Sequence, residues 1–157
     1  MSGRQEVNDD PSLAQALRQF ANLAVMDRIA MIRIGIPTSL VTTLAAALGL
    51  TKGQIAAGLG IPVSSVTRKL RARATLSAAE SERVFGLVEL IVTVEGWADT
   101  ISASGPQGFR ASRWLGTWLA TPAPALGGLE PLSLLDTADG RGLVAELLGS
   151  QEVGAYW

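Results

Sequence analysis

Helix signals dominate this sequence from residue 12 onward, and they constrain the fold more than any other feature. Apolar residues recur every three or four positions, the period of one helix face. No run of β-branched and aromatic residues alternates with polar ones, as a half-buried strand would require. Three pairs fit the capping box, in which a hydroxyl accepts from a backbone N–H three residues on: Ser12 with Gln15, Thr51 with Gln54, and Ser77 with Glu80. The sequence therefore predicts an all-α fold.

Capping residues, glycines and prolines set the predicted helix boundaries. Helices are expected over residues 13–34, 38–48, 52–59, 63–71, 77–97, 109–119 and 131–135, with a last one that follows Gly140 or Gly142 and ends at Gly149. The helix over residues 77–97 is apolar on nearly every side, which suits either a central core helix or a dimer-forming one. Trp114 and Trp118 lie one turn apart on the same face of their helix.

The charge of the chain is strongly segregated, although the formal net charge is only -1. Residues 1–27 sum to -2 and residues 80–157 to -6, whereas residues 28–79 carry seven basic side chains and no acid. A merely solvated surface would normally mix both signs. The pattern indicates two partners of opposite charge preference, one for the basic middle and one for the acidic end.

The composition excludes several kinds of site. Without His or Cys the chain has no imidazole base, thiol nucleophile, disulfide or zinc site of the usual kind. Asp136 and Asp139 are interpreted as helix-start residues and not as metal ligands. We therefore expect neither a cofactor nor an enzyme activity.

Location and association are predicted from the apolar content. No secretory signal or long apolar run is visible, which favours a cytoplasmic protein. The mean hydropathy of +0.30 fits either a surface hidden in an oligomer or an Ala- and Leu-rich helical core.

Residues 52–71 have the internal pattern of a DNA-binding helix-turn-helix. Ile55 is predicted to face inward, Ala56 is small where the two helices approach, and Gly60 suits a turn of positive φ. Ile61 and Val66 would complete the small core. Pro62 stands where a capping side chain is usual, so the second helix begins without one.

That arrangement places polar and basic side chains on the early, exposed turns of the second helix, which enter the major groove in such motifs. Arg68 could bind guanine in a bidentate manner, and the hydroxyls could read bases or phosphates. The remaining basic residues would anchor the DNA backbone. The predicted DNA-binding residues are Lys52, Ser64, Ser65, Thr67, Arg68, Lys69, Arg71 and Arg73.

The C-terminal third carries a longer signature. It reads Pro122-Ala123-Pro124-Ala125-Leu126-Gly127-Gly128, then Pro131-Leu132-Ser133-Leu134-Leu135-Asp136-Thr137, preceded by Trp114 and followed by a last helix and Gly154-Ala155-Tyr156. This string resembles the Xre/MbcA/ParS antitoxin family, whose motif has Asn at the position of Ala123. The prolines and the Gly127–Gly128 pair also predict a rigid corner between two helices. The structural part of the signature is Trp114, Pro122, Pro124, Leu126, Gly127, Gly128 and Pro131.

The resemblance implies an antitoxin of a type II toxin–antitoxin system. Its expected partner is a RES-domain toxin that consumes NAD, whose active-site entrance the C-terminal segment of the antitoxin covers. The resemblance also implies a homodimer that binds and represses its own promoter. The implied organisation is a tail over residues 1–11, an Xre-like helical DNA-binding domain over 12–99 and a small helical toxin-binding domain over 100–157.

The end of the chain supplies the residues predicted to contact the toxin. Two aromatic side chains on so short a segment suit an interface anchor, and acidic or amide groups could add charge or hydrogen bonds. These residues are Gln151, Glu152, Gly154, Tyr156 and Trp157. Two alternatives stay open: a stand-alone transcriptional regulator whose C-terminal domain senses a ligand, and a protein-interaction adaptor that has lost DNA binding.

Overall fold

The computed structural model describes residues 11–101 and 111–153, and this part of the chain is built from helices. The α-helices are α1 (Pro11–Ala21), α2 (Val25–Ile34), α3 (Ser39–Leu48), α4 (Lys52–Gly58), α5 (Val63–Arg71), α6 (Ala78–Ile101), α7 (Ala111–Leu119) and α8 (Ala138–Val153). Two short 3-10 helices, Pro124–Leu126 and Pro131–Leu134, connect α7 to α8. The predicted all-α fold is confirmed.

Helix α6 is the central element. Helices α1, α2, α7 and α8 all pack against it, and its core side chains, among them Val84, Leu87 and Ile91, are fully buried. Burying one such side chain contributes roughly 1.5–3 kcal/mol. The apolar residues on nearly every side of α6 are thus explained by contacts within this chain, which favours the core-helix interpretation.

The single helix predicted over residues 13–34 is wrong, because the chain breaks into α1 and α2 at Asn22–Ala24. Ala24 adopts φ −57° and ψ 145°, which ends the helical path. Because of the break, both helices pack against α6. Phe20 of α1 contacts Phe85 of α6 edge to face, with the ring centroids 5.8 Å apart. The helix also begins at Pro11, so Ser12 lies inside its first turn and not at the cap.

The other two predicted capping boxes are confirmed. At the start of α4, Thr51 Oγ1 accepts from the Gln54 N–H at 3.0 Å, while Gln54 Oε1 accepts from the Thr51 N–H at 2.9 Å. Ser77 and Glu80 form the same pair at the start of α6, with distances of 3.1 and 2.8 Å.

The segment between α2 and α3 is hydrogen-bonded to the segment between α5 and α6 and to the start of α6. The Leu76 N–H donates to Ile36 O at 2.8 Å, and the Ile36 N–H donates to the buried Ser81 hydroxyl at 3.0 Å. Thr38 is also buried, and its Oγ1 donates to Ala74 O at 2.8 Å. Because these polar groups are satisfied inside the fold, the position of α5 relative to α6 is fixed.

Helix α8 begins earlier and ends later than predicted. The Gly140 N–H donates to Thr137 Oγ1 at 3.0 Å, so Thr137 caps the helix and Asp139 lies in its first turn. Gly140 lies inside the helix, and a Cβ there would sit 1.9 Å from Leu134 O, so this position requires glycine. Gly142 and Gly149 likewise lie within α8 and do not bound it.

Among the described residues no single helix is both long and apolar enough to cross a membrane. Helices α3 and α4 reach that length and composition only when they are taken together, and they meet at an angle of 105°.

Candidate nucleic-acid interface and C-terminal surface

Helices α4 and α5 form the predicted helix-turn-helix. Ile55, Ala56, Ile61 and Val66 are all buried, and Gly60 in the turn has φ +67°. The Ile61 N–H donates to Ala56 O at 2.8 Å, which closes the turn directly after α4. Each of these side chains takes the place that the sequence predicts.

Helix α5 turns a polar and basic face outward. Ser64, Arg68 and Arg71 are exposed, and Ser65 and Thr67 are half-buried. Spacings of three and four residues put Ser64, Arg68 and Arg71 on one side of the helix. Pro62 makes no side-chain cap, as predicted, so the first backbone N–H groups of α5 are left to face solvent or a phosphate.

The seven basic residues between positions 28 and 79 divide into two groups. Lys69 Nζ lies 2.5 Å from Glu80 Oε1 in a mostly buried pair, and Arg28 Nη1 lies 2.8 Å from Oε1 of the more exposed Glu89, so both cations are paired within the chain. Within residues 11–101 and 111–153 the others form no ion pair: Arg33, Lys52, Arg68, Arg71 and Arg73. Lys69, which the sequence predicts to contact the DNA backbone, is thus paired with Glu80 at the α5–α6 junction.

The carboxyl of Glu80 is the centre of that junction. Burial alone would raise the pKa of Glu80, but hydrogen bonds from Lys69 and Ser77 and the positive charge of Lys69 outweigh it and hold the pKa below its ordinary value. One carboxylate therefore caps α6 and fixes the end of the proposed DNA-reading helix at the same time.

The Pro-Gly signature forms the predicted corner, and the corner is exposed. The Ala123 N–H donates to Leu129 O and the Gly128 N–H donates to Ala123 O, both at 3.0 Å. Gly127 and Gly128 have φ +67° and +86°, which few other residues adopt. The sequence did not predict that a 3-10 turn over Pro124–Leu126 builds this loop.

The second half of the signature points inward and packs on the helix-turn-helix. Pro131, Leu132 and Leu135 are buried. A Cβ at Gly58 would lie 2.7 Å from the side chain of Leu132, so only glycine fits that approach. We call this contact, together with the approach of Asp136 to the Gly60 turn, the seam.

Arg83 reinforces the seam from α6. Its Nη1 donates to Leu59 O at 3.2 Å and to Gly60 O at 3.4 Å. No sequence signal predicts the seam, because glycines at residues 58 and 60 are also ordinary turn residues.

A groove of about 210 Å³ lies beside the exposed corner. Trp118, Leu147 and Gln151 line it from α7 and α8, and the corner closes it with Pro122 and Pro124. Trp118 also stacks on Trp114, with the ring centroids 6.3 Å apart, which agrees with the predicted placement of both on one face of the helix. Two large apolar residues in this C-terminal part, Leu129 and Leu143, are 53% and 47% exposed, which their residue types alone would not have revealed.

The predicted toxin-contacting residues are only partly described. Gln151 lines the groove at the end of α8, and Glu152 belongs to the same helix. Gly154, Tyr156 and Trp157 lie outside the described residues. In the described part of the chain, no cluster of three or more Asp and Glu residues could hold a metal ion.

Comparison with known proteins matches both parts of this arrangement. The family model of the antitoxin Xre-like helix-turn-helix domain matches residues 27–89, and that of the antitoxin Xre/MbcA/ParS C-terminal toxin-binding domain matches residues 108–154. A Prs ADP-ribosylating antitoxin of Sphingobium sp. (strain YBL2) is 36% identical over 132 residues, covering 83% of this chain and 81% of that protein.

A second relative is more distant. The antitoxin Xre of Yersinia enterocolitica serotype O:8 / biotype 1B (strain NCTC 13174 / 8081) is 26% identical over 125 residues, covering 80% of this chain and 78% of that protein. The chain therefore belongs to the Xre/MbcA/ParS family of antitoxins, with a helix-turn-helix domain followed by a C-terminal toxin-binding domain.

Proposed function

We propose that this antitoxin neutralises a RES-domain toxin that uses NAD, by covering the toxin's active-site entrance with its C-terminal segment. The match of residues 108–154 to a toxin-binding domain carries the proposal. That match extends through α8 to residue 154, so it includes Gln151, Glu152 and Gly154 of the residues predicted to contact the toxin. The Sphingobium relative is named for ADP-ribosylation of Prs, a modification for which NAD is the usual donor, and this supports an NAD-using toxin here.

The surface around the end of α8 suits a protein partner. The groove offers the apolar faces of Trp118 and Leu147 beside a loop held rigid by its own hydrogen bonds. A preformed surface of this kind loses little conformational freedom on binding. Glu152 adds to the negative charge of the C-terminal part, and a toxin pocket that binds the phosphates of NAD would attract negative charge, so charge mimicry is part of the proposal.

Co-expression with the product of the adjacent gene tests the neutralisation. The intact chain is expected to restore growth and to co-purify with the toxin, and deletion of residues 150–157 is expected to abolish protection. Protection by the truncated protein would exclude occlusion by the C-terminal segment. An adjacent gene product without NAD-consuming or ADP-ribosylating activity would exclude the proposed toxin class.

Charge mimicry has its own matched pair of variants. Glu152→Ala is expected to weaken toxin binding about tenfold at low salt, whereas Glu146→Ala, an exposed acid six residues earlier on α8, leaves it unchanged. Equal affinities for both variants would remove the electrostatic part of the proposal.

We also propose that the protein represses its own promoter as a homodimer. The support is α5, which exposes Ser64, Arg68 and Arg71 beside the apolar Val63 and has no acid anywhere on the helix. A two-fold dimer binds two half-sites about 10–10.5 base pairs apart or a multiple of that. Footprinting on the promoter is expected to show an inverted repeat with this spacing, and a single unrepeated site would argue against the dimer.

Neutralisation and repression both act by contact, so we propose no catalytic activity and no cofactor for this chain. Binding to the promoter would place the protein in the cytoplasm. Incubation of the purified protein with NAD should leave the nucleotide intact, and turnover of NAD without toxin would overturn this part of the proposal.

A further inference from the structure

Val63 is the exposed exception among the large apolar residues of the helix-turn-helix. It is 46% exposed, whereas Leu70 packs against the core and the others are buried, namely Ile55, Leu59, Ile61 and Val66. Val63 carries neither a charge nor a hydroxyl, so the pattern that predicts the other DNA-binding residues does not include it. Its exposure is therefore not explained by the fold or by the predicted polar contacts.

The position of Val63 is fixed by local hydrogen bonds. Val63 is the first residue of α5. The Ser65 and Val66 N–H groups donate to Pro62 O at 3.0 and 3.2 Å, and Thr67 Oγ1 donates to Val63 O at 3.0 Å. A β-branched side chain on helical backbone has one strongly preferred χ1 rotamer. Val63 therefore has little conformational freedom left to lose on binding.

The surroundings of Val63 are open and polar. Gly53 of α4 lies beside it, and a Cβ at Gly53 would lie 3.7 Å from Val63 Cγ2, so glycine adds no side chain that covers the valine. Ser64 and Arg68 on α5 are exposed, and neither α4 nor α5 carries an acid. One apolar side chain among basic and hydroxyl groups is too small a patch for a protein partner. It suits a surface that combines phosphates with an isolated methyl group.

The major groove of DNA offers such a surface. Its base edges carry hydrogen-bond donors and acceptors, and the apolar group among them is the 5-methyl of thymine. The first residues of the second helix are the ones that contact base edges in a helix-turn-helix. A polar base edge set against Val63 would lose its hydrogen bonds to water without replacement.

We propose that Val63 contacts the 5-methyl group of a thymine and so selects thymine at one position of each operator half-site. The inference rests on the promoter repression proposed above and names a residue that determines its sequence preference. Arg68 and Val63 then have different tasks, since the arginine reads hydrogen-bond acceptors and the valine reads a methyl group.

A promoter fragment in which uracil replaces every thymine tests the contact, because it lacks only the 5-methyl groups. In fluorescence anisotropy the wild type is expected to bind this fragment about fourfold more weakly per half-site than the thymine fragment, the factor equivalent to roughly 0.8 kcal/mol for one buried CH₂ group. Val63→Ala should lose most of this difference. Val25→Ala is the matched control and should keep the wild-type ratio, because Val25 is also the first residue of its helix and is 65% exposed.

The possible results separate this inference from promoter binding itself. Replacing thymines one at a time should locate one sensitive position in each half-site. Equal uracil-to-thymine ratios for the wild type and Val63→Ala would overturn the contact and leave promoter binding standing. A wild type that does not bind its own promoter fragment would overturn both. A Val63→Ala variant that binds both fragments as the wild type does but no longer co-purifies with toxin would overturn the contact and assign Val63 to the toxin.

Discussion

Single glycines decide how closely the two parts of this antitoxin approach each other. Gly116 on α7 lies against the end of α3, and a Cβ there would sit 1.8 Å from Leu48 O. Backbone cannot yield as a flexible side chain does, so the helices themselves would have to separate. The residue thus matters for packing and not for any turn.

Gly116→Ala is therefore expected to destabilise the protein by about 3 kcal/mol, at the upper end of overpacking effects. Gly142→Ala is the control, because it lies inside α8 with no atom within 4 Å of its Cβ position. That variant should gain about 0.5–1 kcal/mol from helix propensity. Urea denaturation measures both, and equal stabilities would contradict the close α3–α7 contact.

Glu80 makes stability depend on pH. A carboxyl whose pKa is lower in the folded chain stabilises the fold above its unfolded pKa, about 4.3, and loses that contribution as pH falls through the folded pKa. The free energy of unfolding should thus fall more steeply below about pH 4.5 in the wild type than in Glu80→Gln. Lys69→Met should flatten the curve in the same way, and parallel curves for all three would contradict the proposed role.

At the scale of helices, the sequence predicts elements well where their ends depend on local chemistry. The helix over residues 63–71 and the Thr51 and Ser77 caps agree with the structure because neighbouring residues alone determine them. The break between α1 and α2, and the passage of α8 through Gly140, depend on what packs against them. Such contacts between distant residues are not visible in periodicity.

In the candidate surfaces, too, features set by neighbouring residues could be predicted, whereas contacts between distant residues could not. The buried residues of the helix-turn-helix could be predicted from spacing, whereas the pairing of Lys69 with Glu80 could not, because charge alone made Lys69 resemble its neighbours. Likewise, the signature predicted a rigid corner but not that its first half is exposed and its second half forms the seam.

Helix α5 is expected to read DNA through Arg68 and to hold it through Arg71. Arg68→Ala should cost about 1–3 kcal/mol of operator binding and relax sequence preference, since a bidentate base contact is lost. Arg71→Ala should weaken binding to operator and unrelated DNA alike and reduce the salt slope by about 1. Lys69 is left intact because its removal would disturb the α5–α6 junction.

Fluorescence anisotropy at several salt concentrations separates these effects. Arg113→Ala, an exposed arginine on α7, is the control and should bind DNA normally. Loss of binding in this control together with full operator affinity in Arg68→Ala would show that another surface contacts the DNA.

Over the whole molecule, the toxin-binding part completes the core of the DNA-binding part. Leu115 and Leu119 of α7 are fully buried in contacts that include α3 and α6, and the seam joins Gly58 to Leu132. A chain of this size gains much of its stability from such shared burial. Both functions therefore depend on one folded unit.

A fragment of residues 1–101, which lacks α7 and α8, is accordingly expected to lose cooperative unfolding and to bind a hydrophobic dye. Helices α7 and α8 pack on α3 and α6, and the 3-10 helix Pro131–Leu134 packs on α4, so the deletion uncovers apolar faces that the intact chain buries. The intact protein should unfold in one transition when calorimetry and circular dichroism are compared. A fragment as stable as the full chain would mean that the helix-turn-helix folds alone, and that the seam is only a contact between two independent domains.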